Sequence, residues 1–475
     1  MDGLECSEIM LSELEFSGRI DAEYYQKKYL QYQEMVQRRN GCQMGSICHF
    51  LIGPFGSAYD TSDYVDTPDY RYVRGQDVKP FFLQDTSPKY MAKEDYIRLK
   101  KYALQEGDVL LSVVGTLGNA CIVQGKNLPA IFSCKSTAIR TDDIDPYFLL
   151  AYLNSRYGRQ LLLRKERGAV QKGLNLDDLK SLDIPLLSSE FQKKIRSTSL
   201  NASKAIVHAT EKYKIAQDCL LVALKWNTVM MATSAITRKR FSESFAISGR
   251  LDAEYYQPKY DDYYTLISAY PGGWSTVGKE FSHVNKKCTR TKKTYDYVEI
   301  GDVDVGMGIA MSNRIDTADL PDNAKIITRK GDIIVSTVRP NRGAVAILAN
   351  NDLLVSGAFT VLREVGSYKK EVLQVLLRTE LYRDWLLRYN VGTSYPVIKD
   401  NDVLNMPIPL LPNGLQNEIA QKVRESFSLR RQSEKLIETA VRAVEIAIER
   451  DEAAAVEWLN QANAFITGEG KYESV

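Results

Sequence analysis

Histidine is scarce in this sequence, with 3 residues in 475, so a site that needs several imidazoles for metal binding or acid–base chemistry is disfavoured. No Pro-Pro dipeptide occurs, which excludes the Asn/Asp-Pro-Pro-aromatic segment that adenine methyltransferases use to hold a flipped base. The phosphate-binding pattern Gly-x-x-x-x-Gly-Lys-Ser/Thr is also missing, so ATP hydrolysis is not supported. We therefore expect that the chain alone neither methylates adenine nor hydrolyses ATP.

Excess charge and long apolar runs are missing as well. The 62 basic and 60 acidic side chains leave a net charge of +2, so any nucleic-acid site must come from local clustering. No apolar window approaches 18 residues, and the first twenty residues carry four glutamates but no secretion signal, so we expect neither membrane spanning nor secretion.

The cysteines do not suggest a disulfide framework. Seven of them are scattered along the chain, which fits reduced thiols and a cytoplasmic location. Cys42, Cys48 and His49 are the one conceivable group of metal ligands, but a fourth ligand is missing. We expect partly buried thiols there and no metal.

Self-comparison of the sequence reveals two copies of one framework. Ser17–Tyr29 reads SGRIDAEYYQKKY and Ser248–Tyr260 reads SGRLDAEYYQPKY, with eleven identities in thirteen positions. Further pairs follow in the same order at a spacing of about 225 residues: YVRGQDV and YVEIGDV, GDVLLSVVG and GDIIVSTVR, and IPLL twice. Between these anchors the copies diverge. A tandem duplication whose shared scaffold presents two different surfaces explains this division.

The repeated segments predict the same local structure in both copies. The Gly-Asp pairs of GDVLLSVVG and GDIIVSTVR precede β-branched runs and predict turns into buried strands. Asp21–Arg39 and Asp252–Tyr270 are predicted to be helical, although Pro258 is tolerated only near a helix start or in a turn. Each copy is therefore mixed α and β.

Each copy ends in a long predicted helix. In Phe191–Leu224, apolar and small residues recur mostly three, four or seven positions apart, which is typical of an amphipathic helix. Leu415–Ala447 keeps this spacing, but Ser426, Arg430 and Ser433 interrupt its apolar seam. Each helix could pack alone on its own domain. A helix of roughly 35 residues is about 50 Å long, however, so pairing of the two helices is the more economical burial.

This order of motifs resembles the specificity subunit of type I restriction-modification enzymes. The resemblance covers nearly the whole chain and rests on the two DAEYY segments, two variable regions, two Gly-Asp strands, two IPLL junctions and two long helices. It implies an α+β fold in which two pseudo-two-fold-related α/β target recognition domains are separated by a pair of long antiparallel helices, a coiled coil. Each domain would read one half of a bipartite double-stranded DNA target, with the helices as the spacer.

The resemblance also implies domain boundaries and partners. The boundaries are a first target recognition domain at 1–187, a first spacer helix at 188–228, a linker at 229–247, a second target recognition domain at 248–411, a second spacer helix at 412–465 and a tail at 466–475. Modification (methyltransferase) subunits, two of them, and a restriction subunit would assemble on this chain. S-adenosylmethionine, and ATP with Mg²⁺ for restriction, would be held by those partners, and the chain itself would bind no cofactor or membrane.

Candidate DNA contacts divide into phosphate positioning and base reading. KKCTRTKK at Lys286–Lys293 carries five basic residues in eight, and Arg339, Asn341 and Arg342 have side chains suited to bidentate contacts with guanine or adenine. The equivalent first-half loop, VVGTLGN, is uncharged. The complete candidate set is Thr116, Asn119, Lys135, Lys172, Lys286, Lys287, Arg290, Lys292, Arg339, Asn341, Arg342 and Tyr395.

Other interpretations remain beside these. Arg164, Lys165 and Arg167 are further basic residues near the later loops. For any single lysine the alternative is a solvated surface charge. For the whole chain the alternatives are an autonomous DNA-modifying enzyme with unrecognised catalytic motifs, for which methyl transfer by the purified chain would be evidence, and an interaction scaffold that does not bind DNA.

Overall fold

The computed structural model describes residues 5–12, 14, 18–85, 87–168, 172–226 and 236–468. The chain forms two compact units, Met1–Ile206 with Arg430–Val475, and Val207–Leu429. The predicted linker 229–247 and tail 466–475 lie partly outside the described residues. The second unit is one continuous segment, whereas the first unit combines the first and the last parts of the chain.

The first unit holds strands β1 to β10 and helices α1 to α6, and it contains the start of helix α7. The helices are Lys27–Gln37 (α1), Met44–Ile47 (α2), Lys93–Arg98 (α3), Pro146–Asn154 (α4), Arg156–Leu163 (α5), Leu176–Lys180 (α6) and Ser189–Ala223 (α7). The strands are Cys42–Gln43 (β1), His49–Ile52 (β2), Arg71–Val73 (β3), Phe81–Phe82 (β4), Lys89–Tyr90 (β5), Val109–Ser112 (β6), Ala120–Ile122 (β7), Ala130–Phe132 (β8), Ser136–Arg140 (β9) and Asp183–Ile184 (β10).

The second unit holds strands β11 to β22 and helices α8 to α13, and two further helices complete the chain. The helices are Phe245–Ser248 (α8), Pro258–Ser268 (α9), Val277–Glu280 (α10), Lys370–Arg378 (α11), Glu380–Leu387 (α12), Asp400–Leu404 (α13), Asn413–Glu449 (α14) and Glu452–Gly468 (α15). The strands are Trp274–Thr276 (β11), Phe281–His283 (β12), Thr294–Val298 (β13), Val303–Asp304 (β14), Ile309–Ala310 (β15), Asn313–Asp316 (β16), Ala324–Ile327 (β17), Ile333–Ser336 (β18), Val345–Ile347 (β19), Leu354–Ser356 (β20), Phe359–Glu364 (β21) and Pro407–Pro409 (β22).

The two units share one sheet topology. The order β2-β9-β6-β7 in the first unit corresponds to β12-β21-β18-β19 in the second, and β4 extends the first of these sheets. A second sheet, β5-β3-β8, corresponds to the β16-β13-β20 part of a four-stranded sheet, and in each the last two strands are parallel. The repeated sequence motifs therefore belong to a repeated mixed α and β fold.

The Gly-Asp motif begins the central strand of each unit. Gly107 and Gly331 have positive φ values of 88° and 89°, which an L side chain rarely adopts, so glycine starts both turns. Asp108 and Asp332 are buried and accept a hydrogen bond of 2.8 Å from the Nε of Arg140 and of Arg363 respectively. The predicted turns into buried strands are confirmed, and the repeated aspartate holds a neighbouring strand in place.

The DAEYY segments do not continue as one helix. A short helical turn at Ala253–Tyr256 precedes α9, and Pro258 is the first residue of that helix. Proline is favourable there, because its missing N–H would have no intrahelical acceptor. The sequence prediction of a helix over Asp252–Tyr270 was therefore too long, and α1 likewise begins only at Lys27.

The long helices have the predicted apolar seam, but one serine that was predicted to interrupt it is buried within it. In α7, Phe191, Ile195, Ala202 and Ala209 are buried as predicted. Ser433 of α14 is also buried, at 1% exposure, so this serine belongs to the seam. No helix in the described parts of the chain is long and apolar enough to cross a membrane.

Candidate nucleic-acid interface

Three loops meet at the carboxyl end of β6 in the first unit, and we call them the first loop cluster. They are the Val113–Asn119 loop, the Cys134–Lys135 turn and the Arg167–Leu174 loop, of which residues 167, 168 and 172–174 are described. The Val113 amide donates to the Lys135 carbonyl at 2.9 Å, and the Leu174 amide donates to the Val113 carbonyl at 3.0 Å. The loops are therefore joined through their backbones, so their side chains can differ while the arrangement is kept.

The second unit repeats this junction as the second loop cluster. It consists of the Thr337–Gly343 loop, the Gly357–Ala358 turn and the Val391–Ile398 loop. Thr337 donates its amide proton to the Ala358 carbonyl at 2.9 Å, and Ile398 donates to the Thr337 carbonyl at 2.9 Å. The hydrogen-bond pattern is that of the first cluster, while the loop sequences are unrelated.

The candidate residues of the first half do not share one environment. Thr116 and Lys135 are exposed, one on each of two joined loops. Lys172 is exposed and pairs with Glu166. Asn119 is buried, its Nδ2 donates to the Val78 carbonyl at 3.2 Å, and its Oδ1 accepts from Arg159 at 3.3 Å. The amide of Asn119 is thus occupied inside the fold, and its base-reading role stays a prediction.

Arg339 and Tyr395 bring two loops of the second cluster together. The Arg339 guanidinium carbon lies 5.3 Å from the centroid of the Tyr395 ring, and the Arg339 amide donates to the Pro396 carbonyl at 2.7 Å. Asn341 and Arg342 are exposed on the same loop as Arg339. Four predicted side chains therefore gather on the second loop cluster.

The Arg339 backbone is left-handed, with φ 51°, where the first copy has Gly115 with φ 88°. A non-glycine residue in this region is uncommon and costs energy. Strain of this kind persists where the surrounding structure holds the residue in place, and strained residues cluster at functional sites. The arginine, with two hydrogen-bonding edges and a supporting aromatic ring, is suited to bind guanine in a major groove.

The basic KKCTRTKK segment divides into side chains with different contacts. Lys286 and Lys287 are exposed on a segment that pairs with the edge of β17. Arg290 donates to the Pro321 carbonyl at 2.8 Å, and Lys292 lies 3.4 Å from an Asp352 oxygen. Lys286 and Lys287 are therefore the better candidates for phosphate contacts in the predicted cluster, since Arg290 supports its own loop.

The additional basic residues near the later loops serve the fold. Arg164 is buried and its guanidinium lies 3.9 Å from the Tyr24 ring. Arg167 pairs with Asp178 at 3.0 Å. Burial and the neighbouring Arg164 lower the pKa of Lys165 to about 8. These side chains are poor candidates for phosphate contacts.

Each loop cluster is supported by an arginine of the repeated SGR segment that pairs with an aspartate two residues later and donates to a loop carbonyl. We call this arrangement the clamp, and the sequence analysis did not predict it. In the first unit Arg19 forms a two-pronged ion pair with Asp21, at 2.7 and 2.6 Å, and also donates to the Glu166 carbonyl at 3.1 Å. The Tyr25 hydroxyl donates to the Arg19 carbonyl at 3.1 Å. The clamp therefore fixes the repeated segment against the start of the third loop.

The second unit has the same clamp. Arg250 forms a two-pronged ion pair with Asp252, at 2.8 and 2.6 Å, and donates to the Asn390 carbonyl at 2.8 Å. Arg388 lies 4.6 Å from the Tyr255 ring. The near-identity of the two DAEYY segments was the sequence signal for this clamp. The sequence did not show which contacts the segments make.

Burial affects both thiols of the candidate metal group. Burial raises the pKa of Cys48 to about 12 and also raises that of Cys42. Within the described ranges, no group of three or more histidine, cysteine or acidic side chains is arranged to hold a metal ion.

One family model matches part of the chain. Residues 43–215 match the model described as the type I restriction modification DNA specificity domain. This segment of the chain is similar to that domain. The matched residues include the whole first loop cluster, and the second unit repeats its strand order. No curated protein sequence matches the chain.

Solved structures of specificity subunits also resemble the chain over most of its length. A type I restriction-modification S subunit from M. genitalium is 13% identical, with 88% of this chain and 95% of that chain covered and a TM-score of 0.40. An HsdS subunit from Thermoanaerobacter tengcongensis is 16% identical, with 86% and 96% covered and a TM-score of 0.26. A chain from a study of type I R-M complex assembly is 16% identical, with 89% and 96% covered and a TM-score of 0.27.

Proposed function

We propose that this chain reads a bipartite double-stranded DNA target, with one half-site bound by each loop cluster. The observation that carries the proposal is the match of residues 43–215 to a DNA specificity domain, together with the repeat of the same topology in the second unit. A chain with two such units has two DNA-reading surfaces.

The two half-sites should differ in sequence. The first loop cluster presents Thr116 and Lys135, whereas the second presents Arg339, Asn341 and Arg342. Arginine prefers guanine and asparagine prefers adenine in the major groove, while threonine is less selective. A duplicated chain with diverged loops can therefore read an asymmetric target, which a homodimer with identical half-sites does not do.

The long helices are proposed to act as an antiparallel spacer between two pseudo-two-fold-related domains. In the first unit the Ser433 hydroxyl donates to the Ala202 carbonyl at 2.8 Å, and in the second unit the Ser426 hydroxyl donates to the Ala209 carbonyl at 2.6 Å. From Ala202 to Ala209 the chain of α7 advances by seven residues, while the hydrogen-bonding serine of α14 moves back by seven, from Ser433 to Ser426. This register supports antiparallel pairing.

Catalysis is proposed to reside in partner subunits. The chain would direct two methyltransferase subunits, which bind S-adenosylmethionine, and a restriction subunit, which uses ATP and Mg²⁺. In this proposal the chain is non-catalytic and supplies sequence recognition and assembly only. The absence of Pro-Pro and of a phosphate-binding Gly-Lys-Ser/Thr segment from the sequence supports this division of labour.

An exchange of one recognition domain tests the bipartite proposal. Residues 248–411 are replaced by the corresponding domain of another specificity subunit, and the DNA target is determined by selection from random sequences. We expect one half-site to change and the other to stay the same, because each loop cluster is joined through its own backbone. The reciprocal exchange of residues 1–187 should change the other half-site. A change of both half-sites in either hybrid would refute modular reading.

A further inference from the structure

The most similar stretch of the two copies carries exposed apolar side chains that packing does not explain. Ile20 is 90% exposed and Leu251 is 79% exposed, at equivalent places in the SGRIDAEYY and SGRLDAEYY segments. The clamp accounts for Arg19 and Asp21, since both hold the segment against the fold. It does not account for a large apolar residue in water at the intervening position.

The turn that carries each apolar side chain is held in a defined shape. Gly18 and Gly249 adopt the left-handed conformation, with φ 62° and 66°, directly before the clamp arginine. The exposed residue then lies between that arginine and the aspartate to which it is bound. Ile20 and Leu251 are therefore presented on fixed turns, so binding would cost little ordering entropy.

Two further exposed positions of the motif hold the same residue in both copies. Ala22 and Ala253 are exposed, and so are Glu23 and Glu254. Packing restrains buried residues but not exposed ones, so identical exposed residues in both copies indicate contact with the same molecular surface twice. The loops proposed to meet different DNA sequences have diverged, which is the opposite behaviour.

The charges of the motif favour a protein over DNA as that surface. The exposed carboxylates of Glu23 and Glu254 would be repelled by phosphates, and the arginines of the motif itself, Arg19 and Arg250, are already paired with Asp21 and Asp252. An isolated large apolar side chain beside a carboxylate instead fits an apolar pocket with a basic rim, as in many protein interfaces.

We propose that Ile20 and Leu251 are two equivalent docking points, each of which inserts into an apolar pocket on one copy of the methyltransferase subunit. The inference rests on the proposed function, because it assigns a contact to the partner named there. Each docking point is tied by its clamp to the backbone of a DNA-reading loop, at Glu166 or at Asn390. The methyltransferase copy would thereby be held beside the half-site that it modifies.

Native mass spectrometry of the complex tests this assignment. Ile20→Ser, Leu251→Ser and the double variant are co-expressed with the methyltransferase subunit and compared with wild type. Removal of a buried isoleucine or leucine should weaken binding at its site about tenfold or more. Upon dilution, each single variant should retain one methyltransferase copy, the wild type two, and the double variant fewer than either single variant.

Matched variants separate docking from general effects. Ile20→Leu and Leu251→Ile exchange the residues of the two copies and should keep both methyltransferase copies. Phe55→Ser removes another exposed apolar residue, 81% exposed and outside the repeated motif, and should also leave assembly intact. Circular dichroism and thermal unfolding of each variant report whether it is folded.

The outcomes distinguish this inference from the proposed function. If the folded double variant still binds two methyltransferase copies with unchanged affinity, the docking points are refuted while the function stands. Weaker DNA binding by the isolated variant with intact assembly would identify a DNA contact and would also refute them. If wild type neither binds the subunit nor selects a DNA sequence, the proposed function itself fails.

Discussion

Arg339 shows how a single residue links backbone strain to recognition. It adopts a left-handed conformation that glycine adopts in the other copy, at a cost of about 1 kcal/mol, and its side chain lies over Tyr395. The sequence identified Arg339 as a candidate from its residue type. It did not reveal the strain, because the backbone conformation of Arg339 depends on the neighbouring Val391–Ile398 loop, to which the Arg339 amide is hydrogen-bonded.

Replacement of Arg339 by glycine should separate stability from binding. We expect Arg339→Gly to keep or raise the thermal stability, since glycine tolerates φ 51°, and to weaken binding of the second half-site by about 1–3 kcal/mol. Filter binding to targets altered in one half-site at a time measures this, and the first half-site serves as the internal control. Unchanged affinity and selectivity would remove Arg339 from the interface.

The basic segment at 286–293 gives a second prediction for individual residues. Charge reversal at Lys286 and Lys287 should lower the salt slope of DNA binding by roughly 0.9 for each phosphate that is no longer neutralised. Arg290→Glu should instead reduce thermal stability, because its guanidinium binds the carbonyls of Pro321 and Ala324. Affinity measured from about 50 to about 200 mM salt provides the slope. A slope equal to that of wild type would place Lys286 and Lys287 away from DNA.

At the scale of elements, the buried serines of α14 differ from what the sequence pattern indicated. Ser426 and Ser433 interrupt an apolar seam in the sequence, yet both are buried and donate to carbonyls of α7. A buried hydroxyl is acceptable only with such a partner, and a pattern within one helix cannot show a carbonyl of another. Both serines therefore belong to the seam, at positions where a small side chain meets a carbonyl of the facing helix.

This packing predicts that Ser433→Leu is less stable than Ser433→Ala, whereas an ordinary apolar seam would predict the reverse order. Ser433→Leu, which would improve an ordinary apolar seam, should destabilise the first unit by about 1–3 kcal/mol because there is no space for it. Ser433→Ala should cost only about 0.5–1.5 kcal/mol, the net value of one hydrogen bond. Thermal unfolding of the full chain measures both, with the exposed Ser428→Leu as a control. Greater stability of Ser433→Leu than of Ser433→Ala would contradict close packing here.

The other elements show what a repeat can and cannot predict. Both Gly-Asp turns and both long helices were predicted, because glycine and apolar periodicity have local physical causes. The partners of the repeated polar residues were not. Gln192 and Gln416, for example, donate to the carbonyls of Leu187 and Leu411, five residues earlier. They also accept from the amides of Asp145 and Lys369, which are 47 residues away in sequence, so the pattern within one helix could not show these contacts.

For the whole molecule, the duplication explains both the similarity of the units and their proposed difference in specificity. The clamps, Gly-Asp strands and loop junctions recur in both units, so they belong to the scaffold. The loop side chains do not recur, and Asn119 shows that position in a loop alone does not make a side chain available to DNA. Burial of that amide arises from Val78 and Arg159, which the loop sequence does not contain.

Sequencing the methylated bases in cells that carry this chain with its methyltransferase subunit measures the target of the whole molecule. We predict N6-methyladenine at one asymmetric motif made of two different half-sites with a fixed number of unspecified bases between them. Cells that carry the chain without the methyltransferase subunit should show no added methylation. A continuous motif, a palindromic motif, or methylation by the chain alone would contradict a non-catalytic reader of two half-sites.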